Sequence, residues 1–416
     1  MTRLNDMDTV MGLPEALEMM LAQMGPLPAI RVPLPDGLDR ITASDIQARV
    51  DSPSINASLM DGYAVRSSDI AGASKERQVT LGLAGVAAAG SSLDGEIKVR
   101  QTFRVLTGAP LPSGADAVVA EEHVIAQDRF VKFHGAVKPG RHVLPRGSDV
   151  AMGQVVANAG QLVTPGMLGH LAAAGHSQVQ VIRPPRVAII ATGDEVILPG
   201  EPLPEGGLYA SNLVALDAWC RRFGFQTRVF VVNDVSEEIY RLLVQSLDGV
   251  DAVVTSGGAW TGDRDLVAQV LHGLGWEKIL HGIRMVPGKG TGFGLLDQKP
   301  VFMLPGGPSA NLMGFLQIAL PGLMRLAGHA HTGLPKTPVQ LASDLDSRQT
   351  DRTQFVFGRL NRQSHPYLFH PLMTRSRLLS MAEAGALVAI PEGESHLPAG
   401  TVIKAQILSL ETGFRF

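Results

Sequence analysis

The first regular pattern begins at Leu13, where Pro14 sits early and Leu17, Met20, Leu21 and Met24 recur at the spacing of one helix face. A helix is predicted there, stopped by Pro26 and Pro28. From about Arg40 to Pro145 the rhythm changes to short alternating runs separated by glycine-rich turns. Strands are predicted at Val79 to Val86, Ile97 to Leu106, Ala117 to Val119 and Phe130 to Phe133. Residues Gly153 to Gly175 return to helical spacing. The segment 45–145 therefore reads as a β-rich insertion into a discontinuous N-terminal and linker domain, 1–44 with 146–184.

Arg183-Pro184-Pro185-Arg186 marks the next boundary, because two prolines remove two backbone donors. Beyond it apolar strands alternate with helices. Strands are predicted at Val187 to Ile190, Val229 to Val232, Ala252 to Val254 and Val301 to Leu304. Helices are predicted from Ser211 to Phe223 with Ser211 as cap, from Asp234 to Leu247 with Asp234 and Glu237 as a capping box, from about Asp265 to Leu271, and from about Ser309. Such alternation requires right-handed crossovers, hence a three-layer α/β domain over 185–330 with a mostly parallel sheet. After Pro335, runs at Phe355 to Leu360, Tyr367 to Phe369, Leu387 to Ile390 and Val402 to Leu408 predict a C-terminal β barrel or sandwich, 335–416. The expected class is multidomain α/β plus β.

Composition narrows the function classes. A chain of 416 residues exceeds what one core supports, and 45% apolar with 18% charged residues describes a soluble globular protein. The net charge of −3, with no run of Lys or Arg, excludes the basic footprint of a nucleic-acid binder. Between Lys299 and Arg325 no charge occurs, but Pro305, Gly306, Gly307, Pro308, Asn311, Gln317 and Pro321 interrupt the stretch, so a buried loop and core helix fit better than a membrane span. The N-terminus lacks a secretory pattern, and the cytoplasm is the expected location. Cys220 is the single cysteine, which excludes a disulfide framework and a multi-cysteine metal site.

Open parallel sheets bind ligands outside the carboxyl ends of their strands. Three loops belong at that edge. Thr192-Gly193-Asp194-Glu195 follows the first strand, and its two acids either hold a hard divalent cation or serve as a general base; the alternative is a helix cap with a first-turn acid. In Ser256-Gly257-Gly258-Ala259-Trp260-Thr261-Gly262-Asp263-Arg264-Asp265, the glycines let amides approach an oxyanion, and Asp263 and Asp265 imply a bridging cation. A plain tight turn is the alternative. Pro287-Gly288-Lys289-Gly290 and Pro305-Gly306-Gly307-Pro308-Ser309 form the third region, where Lys289 and Arg284 offer cations to a phosphate and the second turn is otherwise punctuation. Asp61, in Ser58-Leu59-Met60-Asp61-Gly62-Tyr63-Ala64, lies far away in the β insertion and on chemistry alone reads as a turn acid.

Together these segments resemble the molybdopterin molybdenumtransferase family, which includes MoeA and the C-terminal region of gephyrin. The resemblance runs from Pro14 to about Gly328 and rests on Ser58 to Ala64, Thr107-Gly108-Ala109-Pro110 with Gly114 to Val119, Thr192 to Glu195, and Ser256-Gly257-Gly258 followed by Gly262 and Asp265. It implies a homodimer in which the β insertion of one subunit faces the α/β domain of the other. It also implies the reaction: adenylated molybdopterin and molybdate, or tungstate, give molybdenum cofactor and AMP with Mg²⁺, without nucleic acid or membrane. On that resemblance Asp61, Asp194, Glu195 and Asp265 are the catalytic acids, and Asp194, Glu195 and Asp265 hold the metal. Thr107, Thr192, Gly193, Ser256, Gly257, Gly258, Asp263, Arg284, Lys289, Pro305, Gly306, Gly307, Pro308 and Ser309 bind the pterin substrate. The chain departs from the family at Trp260, usually serine, at Val286, usually lysine, and at Gly307, usually asparagine. A cofactor carrier without transfer activity, and an assembly scaffold, are the competing expectations.

Overall fold

The computed structural model describes residues 10–90, 95–258, 266–347, 349–361, 363–372 and 376–409. The chain forms two compact units, one built from residues up to Ile30, 39–43 and from Val181 onward, the other from 31–38 and 44–180. Helix α1 (Leu13–Ala22) starts where the pattern predicts, with proline in its first turn and Ala16 and Met20 buried.

In the second unit a six-stranded sheet combines β1 (Gly62–Val65), β2 (Val79–Ala87), β3 (Gln101–Val105), β4 (Ala117–Ala120), β5 (Val124–Gln127) and β6 (Phe130–Phe133) in the order β4-β1-β3-β2-β6-β5. Alternate residues feed two small cores. Tyr63, Val65, Leu81, Val119 and Phe133 pack on one side, while Ala64, Phe103, Val105 and Val118 pack on the other. Gly62 is required, because a β-carbon there would collide with the Val119 carbonyl. The strand predicted from Ile97 starts only at Gln101, since Arg100 adopts φ +62 and turns the chain. The predicted helical stretch from Gly153 to Gly175 shrinks to α2 (Pro165–Ala173), capped by the Thr164 hydroxyl. Gly153 and Gly160 at φ +83 and +79 break the preceding residues out of helix.

In the first unit β7 (Arg186–Thr192), α3 (Ser211–Arg222), β8 (Gln226–Val232), α4 (Ser236–Leu247), β9 (Ala252–Ser256), α5 (Leu266–Gly273), β10 (Glu277–His281), β11 (Gly292–Leu296) and β12 (Lys299–Leu304) build a sheet of order β8-β7-β9-β12-β11-β10. β8, β7, β9 and β12 are parallel, and β11 and β10 extend the sheet antiparallel. Strand β7 is buried on both faces. Val187 and Ile189 join a core with α1, α3 and the helices after Pro308, whereas Ala188 and Ile190 join Ile239, Leu243, Val267 and Leu271 from α4 and α5. The result is a three-layer arrangement. Neither predicted cap holds. Ser211 is already inside α3 after Ala210, and α4 starts after Val235 with no side-chain cap, because Asp234 lies one residue too early.

The uncharged stretch becomes α6 (Pro308–Gly314), a π turn over Phe315–Ala319, and α7 (Leu320–Leu326), all packed in the core. Among the described residues no helix is long and apolar enough to cross a membrane. A closed barrel follows. β13 (Lys336–Leu341), β14 (Thr353–Asn361), β15 (Tyr367–Pro371), β16 (Ala386–Ile390) and β17 (Val402–Ile407) pair in the cyclic order β14-β15-β13-β17-β16, with α8 (Arg377–Glu383) before β16. In the π turn, Gln317 exchanges two amide hydrogen bonds with Gln406 of β17, at 2.8 and 3.0 Å.

At the amino ends of the strands, Arg183 grips Asp251 with two parallel bonds of 2.7 Å, and the Arg186 amide donates to the same carboxylate at 2.8 Å. Burial would raise the Asp251 pKa, but Arg183 and Arg186 together bring it down to about 2. A depressed carboxylate stabilises the fold fully above about pH 4 and loses that contribution as pH falls through the folded value. Asp251→Asn is expected to lower unfolding free energy at pH 7 by about 1–2 kcal/mol, after allowance for solvent at the partly exposed guanidiniums. The deficit should shrink toward zero between about pH 4 and pH 2. Urea unfolding of both proteins at the two pH values checks this.

Candidate functional site

Strand register decides which loops meet. Ala191 pairs with Ser256 and Ser256 with Leu304, so β7, β9 and β12 end in one row and release Thr192, Gly257 and Pro305 side by side. The Gly257 amide donates to the Leu304 carbonyl at 3.1 Å. Gly257 has φ +105, and a β-carbon there would stand 2.8 Å from the Thr192 carbonyl oxygen and 2.9 Å from Thr192 Oγ1. At Gly258, φ +62, it would press Val267 at 2.7 Å. Only glycines permit this approach. A β-carbon on Gly306 would lie 3.7 Å from Gly257 Cα, which brings the Pro305 to Pro308 turn against the same spot. Gly307 precedes α6, and Pro308 and Ser309 open it.

Two hydroxyls face this junction. Thr192 Oγ1 is buried and has no hydrogen-bond partner among the described residues. Ser256 Oγ accepts from Asn311 Nδ2 at 2.9 Å and from Asn212 Nδ2 at 3.4 Å. Beside the turn, Arg377 of α8 reaches to 3.8 Å from a β-carbon built on Gly307, and its guanidinium has no ion pair or hydrogen bond among the described residues. Asn212, Asn311 and Arg377 carried no signal in the sequence reading. Each reaches the cleft from a different element.

The acids gather at the next loop. Gly193, φ +145, places both Glu195 carboxylate oxygens within 3.0 Å of where a β-carbon would stand. Asp194 Oδ1 accepts the Asp234 amide at 2.9 Å. Burial raises the Asp234 pKa, and the charges of Asp194 and Glu195 raise it further. Asp234, read in the sequence as a cap, is thus a third acid beside the expected pair. Carboxylate oxygens are the hard donors that a divalent cation such as Mg²⁺ takes, and Mg²⁺ needs few protein ligands because water completes its shell. Among the described residues no three His, Cys, Asp or Glu side chains are close enough to hold a metal by themselves. Trp260, Asp263 and Asp265 lie outside the described residues.

In the other unit Asp61 and Thr107, 46 positions apart, form a pair of their own. Asp61 Oδ1 accepts the Thr107 amide at 2.7 Å and its hydroxyl at 2.8 Å. Those two bonds hold the exposed Asp61 carboxyl below its usual range, with Arg104 adding a weaker pull. A cavity of about 420 Å³ in this unit, lined by Lys75, His123 and His134 among others, includes none of the expected site residues. Arg284 is engaged elsewhere, with Nε on Glu392 at 2.8 Å and Nη1 on the Val10 carbonyl at 2.7 Å. Asp351 is held below its usual range first by Arg352, and Lys289 contributes. Val286 pairs with Gln354 on the barrel.

Three family models match the chain: MoeA N-terminal region (domain I and II) over 11–175, probable molybdopterin binding domain over 188–325, and MoeA C-terminal region (domain IV) over 338–408. A molybdopterin molybdenumtransferase of Staphylococcus aureus (strain MSSA476) is 28% identical over 392 residues, covering 94% of this chain and 93% of the relative. One from Staphylococcus epidermidis (strain ATCC 12228 / FDA PCI 1200) is 28% identical over 398 residues, covering 95% of each. Among solved structures, a molybdopterin biosynthesis MoeA protein from Pyrococcus horikoshii aligns with TM-score 0.86 and 31% identity, over 96% of this chain and all of that one. A second from strain OT3 gives TM-score 0.82 and 25% identity, over 96% and 100%.

Two outcomes follow from the geometry. Gly257→Ala forces a β-carbon against Thr192 at a left-handed φ, and is expected to cost about 1–3 kcal/mol of stability, read as a lowered Tm. Thr107→Val keeps the amide bond to Asp61 and deletes the hydroxyl. Carboxyl ¹³C NMR titration should then show the Asp61 pKa move up toward, but not reach, the ordinary aspartate value; an unmoved pKa means the hydroxyl does not hold it.

Proposed function

The chain belongs to the MoeA family of molybdenum cofactor biosynthesis, and on that premise we propose that its cleft carries out the insertion of molybdate or tungstate into adenylated molybdopterin, with release of AMP. The enzyme class is molybdopterin molybdenumtransferase. The observation that carries the substrate reading is the buried Thr192 hydroxyl, without a partner among the described residues, at a glycine-lined strand end. A buried polar atom without a partner costs about 1–3 kcal/mol, and a phosphoryl oxygen would satisfy it.

The residues divide the work by chemistry. Thr192, Ser256 and the amides around Gly257 and Gly258 bind the phosphoryl group, while Gly306, Pro308 and Ser309 wall the cleft. Asp194 and Glu195, with Asp265, would hold Mg²⁺, which supplies charge neutralisation for phosphate and carboxylates when bound. Asp61, kept ionised by Thr107, is delivered from the β-rich unit of a second copy in a homodimer and orients the attacking oxygen. The cytoplasm is the proposed location.

One observation favours cofactor carriage without transfer. Position 286 offers an apolar side chain and 307 none, so two cleft contacts that the resemblance leads one to expect are missing. Turnover of adenylated molybdopterin with molybdate or tungstate separates the two readings. Asp61→Ala and Glu195→Ala are each expected to lower kcat by about 10²–10⁴-fold, the usual worth of a positioned acid or base. Tight pterin binding without any AMP release assigns the carrier role instead.

A further inference from the structure

Ser256 is surrounded in a way that fixes the direction of its hydrogen bonding. Asn311 Nδ2 donates to the Pro305 carbonyl at 3.0 Å, and Asn212 Nδ2 to the Gly306 carbonyl at 2.7 Å. Carbonyl oxygens only accept, so the amide ends facing them are the NH₂ groups. Each NH₂ has a second hydrogen, and both second hydrogens go to Ser256 Oγ, at 2.9 Å from Asn311 and 3.4 Å from Asn212. A hydroxyl has two lone pairs and one hydrogen. With both lone pairs occupied, Ser256 retains only its O–H, which has no protein acceptor among the described residues. Next to it stands the orphaned Thr192 hydroxyl; Ser256 and Thr192 are 5% and 6% exposed, and Asn311 2%.

We propose that Asn311 and Asn212 are positioning residues that lock Ser256 as a hydrogen-bond donor and so make the cleft beside Gly257 selective for an acceptor, a phosphoryl oxygen. The inference rests on the phosphate-binding reading of this cleft and adds what sets its polarity. It also bears on Gly307. The resemblance leads one to expect an asparagine there, and in this chain an amide reaches the same turn from Asn311, one helical turn further on. The two amides act twice, holding the turn's carbonyls away from the anion and aiming the hydroxyl at it.

The test compares binding of AMP and of adenosine to the full-length protein by calorimetry at pH 7, for wild type, Ser256→Ala, Asn311→Ala, Asn311→Asp and Asn212→Asp. A carboxylate at 311 or 212 can only accept, so it takes the Ser256 hydrogen and reverses the polarity. AMP affinity should fall about 10- to 100-fold in Asn311→Asp, less in Asn311→Ala, with adenosine affinity unchanged. Asn212→Asp lies at a half-buried position and should lower AMP affinity in the same direction, which keeps the test open if Asn311→Asp does not fold. AMP affinity lowered by Ser256→Ala but untouched by either Asn→Asp variant overturns this inference alone. AMP affinity untouched by Ser256→Ala, or absent in wild type, overturns it together with the phosphate reading. Equal losses for AMP and adenosine mean a purely structural role and overturn it as well.

Discussion

Three parallel strands ending in one row hold the cleft in place. Ala191 stands opposite Ser256 and Ser256 opposite Leu304, so Thr192, Gly257 and Pro305 leave the sheet at the same height. A slip of one residue would turn Ser256 to the opposite face and carry its hydroxyl away from Asn212 and Asn311. The slip is opposed by burial on both sides, since Val187 and Ile189 fill one core while Ala188 and Ile190 fill the other. Apolar packing that never touches a ligand therefore sets the geometry of the polar loops.

The two ends of the sheet treat aspartate in opposite ways. Asp251, at the amino ends, meets two arginines and is drawn down to about 2 despite its burial. Asp234, at the carboxyl ends, is raised by burial and then by Asp194 and Glu195. One arrangement contributes to stability. The other sets like charges beside one another, the kind of perturbation that clusters at functional sites.

Legibility in the sequence followed the range of the interactions. Strands and the glycine loops after them have local signatures, so Thr192, Gly193, Ser256, Gly257 and Gly258 could be located from spacing, and the structure brings them together. Four barrel strands were also readable from alternation and turns, whereas Lys336–Leu341, with Pro338 inside it, was not. Asn212 and Asn311 were not, because their contacts to Ser256 span 44 and 55 positions and arise only when α3 and α6 pack beside β9. Asp234 was misread because Glu237 three residues later mimics a capping box, while the helix in fact starts after Val235. Arg284 was expected to offer a cation to an anion, and the Glu392 carboxylate that it meets lies 108 positions away, beyond the reach of local pattern. The antiparallel β10 and β11 were missed because a glycine-punctuated run such as Gly292 to Leu296 shows no alternation.

The reciprocal amide pair of Gln317 and Gln406 has a consequence for how the chain can be divided. Gln317 projects from a π turn inside the main core, and its only described partner belongs to the last barrel strand. Cutting the protein after Gly328 would remove the partner of that buried amide, at the cost of an unsatisfied polar group. The barrel is accordingly bound to the core by a polar contact as well as by apolar packing. Its final strand supplies the polar partner of the π turn that directly follows the helix carrying Asn311, so the barrel completes the satisfaction of the main core.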